Sequence, residues 1–373
     1  MFVVAALSFI SQQAFGSNDT RTIPDLRLVR SSPLKSTPFG IIWSKDSKKL
    51  AACSSSCNFI TIWNEQGDII GEVNRPGGFF LRRGLGFLNN GRRIAAPPKS
   101  INDTETLFSV FDIGSDIVVQ QIPGPKPGAK FGNRAYIVAV SPDQSIVAAV
   151  AGTDIGTTIE PVRLYDADNL THVTVITESA QAPWVGIRCL SFSEDSRVLV
   201  IGRTDGSVLV YDLVARRIVR AIDAFTKSRI PLMSIALSPD GQFVAVGGVK
   251  EGAKWRHPDE SPAPPNEGAI VAPDPVRVYR ISDGALMASE TVSFGLVFSM
   301  TWRAQGGLLA FVSSGNSLHL WDPWHPGVPE KVLQLGYDAT SVAISPDGSL
   351  LATGGGGRLL LYQFDESNDR VGK

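Results

Sequence analysis

Large apolar residues recur at every second position in seven short segments of the chain, mostly with small residues between them, and each segment leads into a tight turn. An alternation with a period of two residues is typical of a β-strand that buries one face. The apolar positions just before the turn are Trp43, Phe87, Val140, Phe192, Leu237, Trp302 and Ile344, and those two residues earlier are Ile41, Leu85, Val138, Leu190, Ile235, Met300 and Val342. The pattern predicts seven equivalent strands of one repeated unit.

The turn after each of these strands is repeated as well. Four copies are variants of Ser-Pro-Asp-Gly, in which Pro presets φ and Asp or Gly supplies the chain reversal. They span residues 141–144, 193–196, 238–241 and 345–348, and weaker copies at 44–47, 88–91 and 303–306 complete the set of seven.

A second strand follows each turn, and then a third strand that ends on an aromatic residue. These aromatic residues are Trp63, Phe111, Tyr165, Tyr211, Tyr279, Trp321 and Tyr362, and Asp follows four of them. With the Ser-Pro-Asp-Gly turn, this ending resembles the WD-repeat family of β-propellers, as a divergent, bacterial-like member, over about residues 25 to 365. The resemblance implies an all-β, seven-bladed β-propeller with four-stranded antiparallel blades.

The two ends of the repeated region predict how the ring closes. The last repeat stops after residues 359–364 without a fourth strand, and residues 25–30 form an orphan strand before the first repeat. We predict that the N-terminal strand completes the last blade, which removes the open edge that a sheet must otherwise protect. Residues 25–365 then form a single propeller domain, followed by a C-terminal tail at 366–373.

The N-terminus carries a possible targeting signal. Residues 2–10 are apolar, and polar residues and the small residues Ala14 and Gly16 follow them, as in the h-region and cleavage site of a signal peptide. A basic n-region is missing, because the first Lys or Arg is Arg21. We predict a signal peptide at 1–16, a linker at 17–24 and a periplasmic or secreted protein. The alternative is a packed or disordered tail on a cytoplasmic protein.

The amino-acid composition and net charge limit the classes of protein and of binding partner that the sequence allows. Hydrophobic residues make up 43% and charged residues 19% of the 373 residues, which predicts a folded protein with a large core. The formal net charge is −1, so nucleic acid is not a predicted partner. No apolar run reaches about 18 residues, so no membrane-spanning helix is predicted.

The three cysteines are too few for a disulfide scaffold. Cys53 and Cys57 flank three serines, and their thiols could form a disulfide in an oxidising compartment; the alternative is that they stay reduced. Because neither has a nearby His or carboxylate partner in the sequence, we predict no metal site and no cofactor. Cys189 alternates with apolar residues, which indicates an inert core thiol.

The sequence also departs from the family pattern. Many WD-repeat proteins place a Gly-His pair ahead of the first strand of a blade and an Asp before the third, joined with Ser and Trp in a buried hydrogen-bond network. None of the four histidines is so placed, and Asp205 is the only well-placed turn Asp. The blades are therefore expected to rely on apolar packing.

Long connections are predicted on one face of the propeller. In this topology the second-to-third-strand turns and the blade links open on one face, and the Ser-Pro-Asp-Gly turns open on the other. Extended turns occur at 97–106, 151–161 and 249–275, and long links at 74–83, 123–134 and 178–186. Elaboration confined to one face is typical of a binding surface on a rigid repeat scaffold.

Candidate partner-binding residues lie in these connections. The longest one is Pro-rich and carries Trp255, Arg256 and His257, and Trp and Arg are the residues that dominate binding hot spots. The alternative is a loop whose Trp covers its own blade. Further candidates on links of the same face are Trp184, Arg82, Arg83 and Phe131, for which ordinary rim packing is the alternative.

The sequence predicts no catalytic residues. It lacks a Gly-x-Ser-x-Gly elbow, its four histidines are scattered, and no nucleophile is expected to meet a base. The resemblance implies a non-catalytic interaction scaffold that docks a protein or peptide on the face with the long loops. The alternative is a propeller hydrolase, lactonase-like, with a site at the channel mouth.

Overall fold

In the computed structural model the described residues are 22–34, 37–54, 59–74, 84–97, 106–115, 117–123, 135–151, 161–177, 186–225, 232–248, 275–292, 296–305 and 307–365. Within these ranges the chain is all-β, without a helix, and forms seven four-stranded antiparallel sheets. The sheets are the seven predicted blades. The predicted signal peptide at 1–16 and C-terminal tail at 366–373 lie outside the described residues and stay predictions.

The first four blades use the strands in chain order. Blade 1 contains β2 (Pro38–Trp43), β3 (Lys49–Ser54), β4 (Phe59–Asn64) and β5 (Ile69–Asn74). Blade 2 contains β6 (Gly86–Leu88), β7 (Arg93–Ala96), β8 (Thr106–Asp112) and β9 (Val118–Pro123). Blade 3 contains β10 (Ala135–Val140), β11 (Ile146–Ala151), β12 (Val162–Asp166) and β13 (His172–Ile176). Blade 4 contains β14 (Ile187–Phe192), β15 (Val198–Arg203), β16 (Ser207–Asp212) and β17 (Arg217–Asp223).

The remaining blades differ only in how the last one is completed. Blade 5 contains β18 (Ser234–Leu237), β19 (Phe243–Gly247), β20 (Val276–Arg280) and β21 (Leu286–Glu290). Blade 6 contains β22 (Val297–Trp302), β23 (Leu309–Ser313), β24 (Ser317–Trp321) and β25 (Lys331–Gln334). Blade 7 contains β26 (Ala339–Ile344), β27 (Leu350–Gly355) and β28 (Arg358–Asp365), and its fourth strand is β1 (Asp25–Pro33).

The pairing of β1 with β28 confirms the predicted closure of the ring. The antiparallel register runs from Asp25 opposite Asp365 to Pro33 opposite Arg358, with a bulge between Leu28 and Arg30. The closing strand also reaches the next blade, because the Ser32 hydroxyl donates to the carbonyl oxygen of Gly67 at 3.2 Å. The first and last strands of the repeat region therefore share one sheet, as the orphan strand in the sequence indicates.

The hydrophobic core lies between the blades. Seven buried clusters occur, and each combines residues of two neighbouring blades. The cluster between blades 7 and 1, for example, packs Ala343 and Leu361 against Ile41 and Trp63. Because each blade buries both of its faces, the alternation in the sequence specifies the register of its strands.

Tryptophan side chains reinforce several blade interfaces. The indole N–H of Trp43 in blade 1 donates to the carbonyl oxygen of Ala343 in blade 7 at 3.3 Å, and Trp302 donates to Ala236 of blade 5 at 3.1 Å. Trp324, in the turn between β24 and β25, packs on Phe243 of blade 5 with the ring centroids 4.5 Å apart. This contact packs the turn at Trp324 against the neighbouring blade.

The two faces of the disc are defined by the turns that open on them. The short-turn face carries the seven turns between first and second strands, at 44–48, 89–92, 141–145, 193–197, 238–242, 303–308 and 345–349, and the turns between third and fourth strands. The long-loop face carries the turns between second and third strands and the links between blades.

Candidate interaction faces

The strand order places all six predicted long connections on the long-loop face. Three of them join the second and third strands of a blade, at β7–β8, β11–β12 and β19–β20. The other three link consecutive blades, at β5–β6, β9–β10 and β13–β14. The prediction that the elaborations share one face is confirmed by the strands that flank them.

The candidate partner-binding residues themselves lie outside the described residues and stay predictions. They are Arg82, Arg83, Phe131, Trp184, Trp255, Arg256 and His257. Cys57 also lies outside, so the Cys53–Cys57 disulfide is likewise still a prediction. Cys53 is buried on β3, in the cluster between blades 1 and 2.

The base of the longest connection is firmly anchored. The backbone N–H of Gly248 donates to the carbonyl oxygen of Pro275 at 2.8 Å, so the two residues that flank 249–274 are hydrogen-bonded to each other. The carbonyl oxygen of Gly248 in turn accepts a bond of 3.1 Å from the N–H of Val297, the first residue of β22 in blade 6. The connection therefore starts from a fixed point between blades 5 and 6.

A second anchor holds the link between blades 4 and 5. The guanidinium of Arg277 donates to the carbonyl oxygen of Ala224 at 2.7 Å and lies 4.5 Å from the ring centre of Phe225. The Tyr279 hydroxyl donates to the same carbonyl at 3.0 Å. Burial raises the pKa of Tyr279, and the opposing effect of Arg277 does not cancel that rise. The hydroxyl is therefore a neutral donor at physiological pH.

Asp205, in the turn between β15 and β16, holds an ion pair on the long-loop face. Its carboxylate accepts hydrogen bonds from the Ser207 N–H and hydroxyl at 3.0 and 2.7 Å and from the Arg203 guanidinium at 2.7 Å. Burial alone would raise the pKa of this carboxyl, but the bonds from Ser207 and Arg203 outweigh it and lower the pKa. The turn Asp singled out in the sequence is thus paired with an arginine.

The short-turn face is built from a repeated Ser–Asp hydrogen bond. In five turns the hydroxyl of the first residue donates to the carboxylate of the third, with distances of 2.5 to 2.6 Å. The pairs are Ser44–Asp46, Ser141–Asp143, Ser193–Asp195, Ser238–Asp240 and Ser345–Asp347. At Asp143 and Asp347 burial would raise the carboxyl pKa, but the serine and backbone bonds outweigh it and lower the pKa.

Hydrogen bonds between neighbouring turns join the blades on this face. The N–H of the third turn residue donates to a side-chain oxygen of the fourth turn residue of the next blade. The bonds run from Asp347 to Ser47 at 3.1 Å, from Asn90 to Gln144 at 2.8 Å and from Asp143 to Ser196 at 3.0 Å. The three acceptor residues have φ values of 58 to 61°, where a side chain is strained. The bond to the adjacent blade offsets that strain.

Blade 7 has glycine at the same turn position. Gly348 also has a positive φ of 70°, and a Cβ there would collide with the side chain of Gln305 in blade 6. Gln305 instead donates to the carbonyl oxygen of Asp347 at 2.6 Å. The blade 6 to blade 7 contact therefore uses a side chain of the preceding turn, and glycine leaves the space that it needs.

We expect Ser196→Ala and Ser196→Gly to differ in stability. Alanine keeps the positive φ and loses the bond from Asp143, which should lower the free energy of unfolding by about 1 kcal/mol. Glycine loses the same bond but relieves the backbone strain, so its effect should be smaller. Equilibrium urea unfolding of both variants measures the difference. Equal losses would contradict the proposed offset between strain and hydrogen bond.

A Ser–His–Glu network lies inside blade 6. Nε2 of His319 is 2.9 Å from the Ser313 hydroxyl, and Nδ1 is 2.8 Å from a Glu330 carboxylate oxygen. The imidazole stacks on Phe311 with ring centroids 4.6 Å apart. The expectation that no nucleophile would meet a base is therefore wrong for this blade. Ser313 and His319 are only 2% and 3% exposed, which shields the hydroxyl from substrate.

The described ranges contain no group of three or more His, Cys, Asp or Glu side chains that could hold a metal ion. In the same ranges no helix is long and apolar enough to cross a membrane.

Seven four-stranded blades closed by an N-terminal strand define the protein as a seven-bladed β-propeller. Comparison with known families identifies the repeat. The family described as WD domain, G-beta repeat (WD40) matches residues 175–212 and 330–363. Each match starts at the outer strand of one blade and ends in the third strand of the next. The chain is thus a seven-bladed propeller in which two segments match the WD repeat. No curated protein matches the chain.

Proposed function

We propose that the protein is a non-catalytic scaffold that docks a protein or peptide partner on the long-loop face. The observation that carries the proposal is the contrast between the two faces. Short turns bonded from blade to blade make up much of one face, whereas all six long connections leave from the other. WD-repeat propellers commonly mediate protein–protein interaction, and loops on a rigid scaffold are where such binding concentrates.

The anchored base of residues 249–274 supports a role for this connection in docking. The bonds of Gly248 to Pro275 and to Val297 fix where the connection leaves the disc. A fixed base reduces the freedom that binding must remove, which favours affinity. Trp255 and Arg256 then supply the aromatic and guanidinium groups that contribute most to protein interfaces.

Affinity capture from the source cells, with mass spectrometry, tests the proposal. The Trp255→Ala/Arg256→Ala variant should capture about tenfold less partner than the full chain, the loss expected of a hot-spot pair. The matched control is Val214→Ala/Arg217→Ala, which removes an exposed apolar residue and an arginine from the short-turn face.

A chain without residues 251–273 should lose the partner altogether and melt like the full chain, because Gly248 and Pro275 still close its base. If this chain and the Trp255→Ala/Arg256→Ala variant both retain the partner, the proposal that the partner docks through residues 249–274 is wrong. If the control variant alone loses the partner, docking takes place on the short-turn face.

The alternative function is a hydrolase, for which the Ser313–His319–Glu330 network is the strongest argument among the described residues. The order of serine, histidine and carboxylate matches a catalytic triad. We propose a structural role, since both Ser313 and His319 are buried. A fluorophosphonate probe should therefore leave the chain unlabelled. Labelling that disappears in Ser313→Ala would favour the hydrolase.

A further inference from the structure

The short-turn face contains a groove that runs from the central channel to the cleft between blades 2 and 3. It consists of three adjoining cavities, of about 180, 150 and 420 Å³, and the side chain of Gln144 lines all three. Lys45 also lines the first two, and Asn90 the last two. We call this continuous feature the channel-mouth groove.

The inner end of the channel-mouth groove is apolar. At the mouth of the channel it is lined mainly by Trp43, Leu85, Phe87, Val140, Pro142 and Pro346, from blades 1, 2, 3 and 7. Its volume of about 180 Å³ is slightly larger than an engineered cavity of about 150 Å³ that holds benzene. One aromatic or branched aliphatic side chain therefore fits this end.

The outer end of the groove is polar. Hydrogen-bonding side chains line it, namely Asn89, Asn90, Arg93, Asp143, Ser145 and Asp168. Its shape is held by the bond of 2.8 Å from the Asn90 N–H to the carboxamide oxygen of Gln144, which joins blades 2 and 3. The 420 Å³ volume provides room for polar side chains and backbone next to one anchor residue.

Negative charge predominates along the groove. Two basic residues line the groove, Lys45 and Arg93. Four acidic residues line it as well, namely Asp46, Asp143, Asp168 and Glu194. All four carboxylate residues are exposed. At Asp46 and Asp143 burial would raise the pKa, but hydrogen bonds outweigh it and lower the pKa, so both stay ionised at neutral pH.

We propose that the channel-mouth groove binds an extended peptide that inserts one apolar side chain into the channel mouth and carries lysine or arginine beside it. The elongated shape suits a peptide strand, the inner cavity suits a single apolar anchor, and the excess of carboxylates suits basic flanking residues. The groove lies on the face opposite the long connections. It therefore gives the scaffold a second, independent site.

Selection from a random dodecapeptide library displayed on phage, with the full chain as target, tests this inference. The enriched peptides should share an aromatic or branched aliphatic residue flanked by Lys or Arg. Their binding, measured by fluorescence anisotropy, should weaken about tenfold in Asp168→Lys/Glu194→Lys. Glu194→Lys preserves the turn, because Lys45 occupies the equivalent position of blade 1.

Two controls separate the possible outcomes. Glu65→Lys makes one such charge reversal on the same face outside the groove lining, and should alter affinity less than about twofold. The chain without residues 251–273 should bind the selected peptides as the full chain does, so this result is independent of docking on the long-loop face. The inference is overturned if no peptide is enriched, if the enriched peptides are acidic or lack an apolar residue, or if Asp168→Lys/Glu194→Lys binds them unchanged.

Discussion

A chain that starts at residue 35 should melt many degrees below the full chain. The deletion removes β1, in which eight residues pair with β28. Each cross-strand pair contributes roughly 0.2–1 kcal/mol, so the loss is on the order of 5 kcal/mol. It also uncovers the cluster between blades 6 and 7, on which Ile23 and Leu26 pack. Thermal unfolding followed by circular dichroism at one fixed scan rate measures the effect.

The control for this deletion is a chain that starts at residue 22. This chain keeps β1 complete and should melt with the full chain. Adding a synthetic peptide of residues 22–34 to the chain that starts at residue 35 should raise its melting temperature again, because the peptide can refill the edge of blade 7. Equal melting of the two shortened chains would contradict closure by β1.

The closing strand β1 shows what could be predicted from the sequence and what could not. The sequence shows one extra strand before the first repeat and a last repeat without a fourth strand, so the closure itself could be predicted. The strand is longer than the predicted residues 25–30, since it continues to Pro33. The bulge between Leu28 and Arg30 shifts the register and lets the last residues pair with β28. Hydrophobic alternation does not encode such a bulge.

The predicted apolar positions of the first strands all belong to the seven clusters or pack against them, because every blade packs on both sides. Positions such as Ile235 and Leu237, two residues apart on one strand, both belong to the cluster between blades 4 and 5. A shift of one residue would turn both side chains to the other face of the sheet. The repeated alternation therefore determined strand positions and blade number together.

The hydrogen bonds between blades could not be predicted, because they join residues that are distant in the chain. Asn90 and Gln144 are 54 residues apart, and only the ring brings their turns together. In blade 6 a signal was visible: His319 is a polar residue in a buried strand, two residues before the aromatic end. Its partners could not be identified, because Ser313 and Glu330 belong to other parts of the blade and their side-chain directions are set by the fold.

The asymmetry of the two faces has a consequence for how the scaffold can be used. The short-turn face owes its shape to bonds such as that from Asp143 to Ser196, and it can offer a preformed groove. The long-loop face carries the long connections, which leave from anchors such as Gly248 and Pro275. Under the two proposals above, one partner docks on the long-loop face and a peptide binds in the channel-mouth groove, so the two would not compete for one surface.

His319→Leu should be among the most destabilising single substitutions in the propeller. It removes both hydrogen bonds of the imidazole and leaves the Ser313 hydroxyl and the Glu330 carboxylate without this partner. The side chain of Glu330 is only 16% exposed, so its charge would be poorly solvated. We expect a loss of roughly 2–4 kcal/mol in the free energy of unfolding. Equilibrium urea unfolding measures it.

The double variant His319→Leu/Glu330→Leu separates two contributions to the destabilisation. One is the loss of the hydrogen bonds of His319, and the other is the Glu330 carboxylate left without this partner. If the cost of His319→Leu comes mainly from the unsolvated carboxylate, His319→Leu/Glu330→Leu should be more stable than His319→Leu alone, because no buried charge remains. Ser313→Ala, which removes one neutral hydrogen bond, should cost only about 1 kcal/mol. Additive losses in the double variant would show that the residues act independently. A double variant that is more stable than His319→Leu alone would instead show that His319 and Glu330 act as a unit.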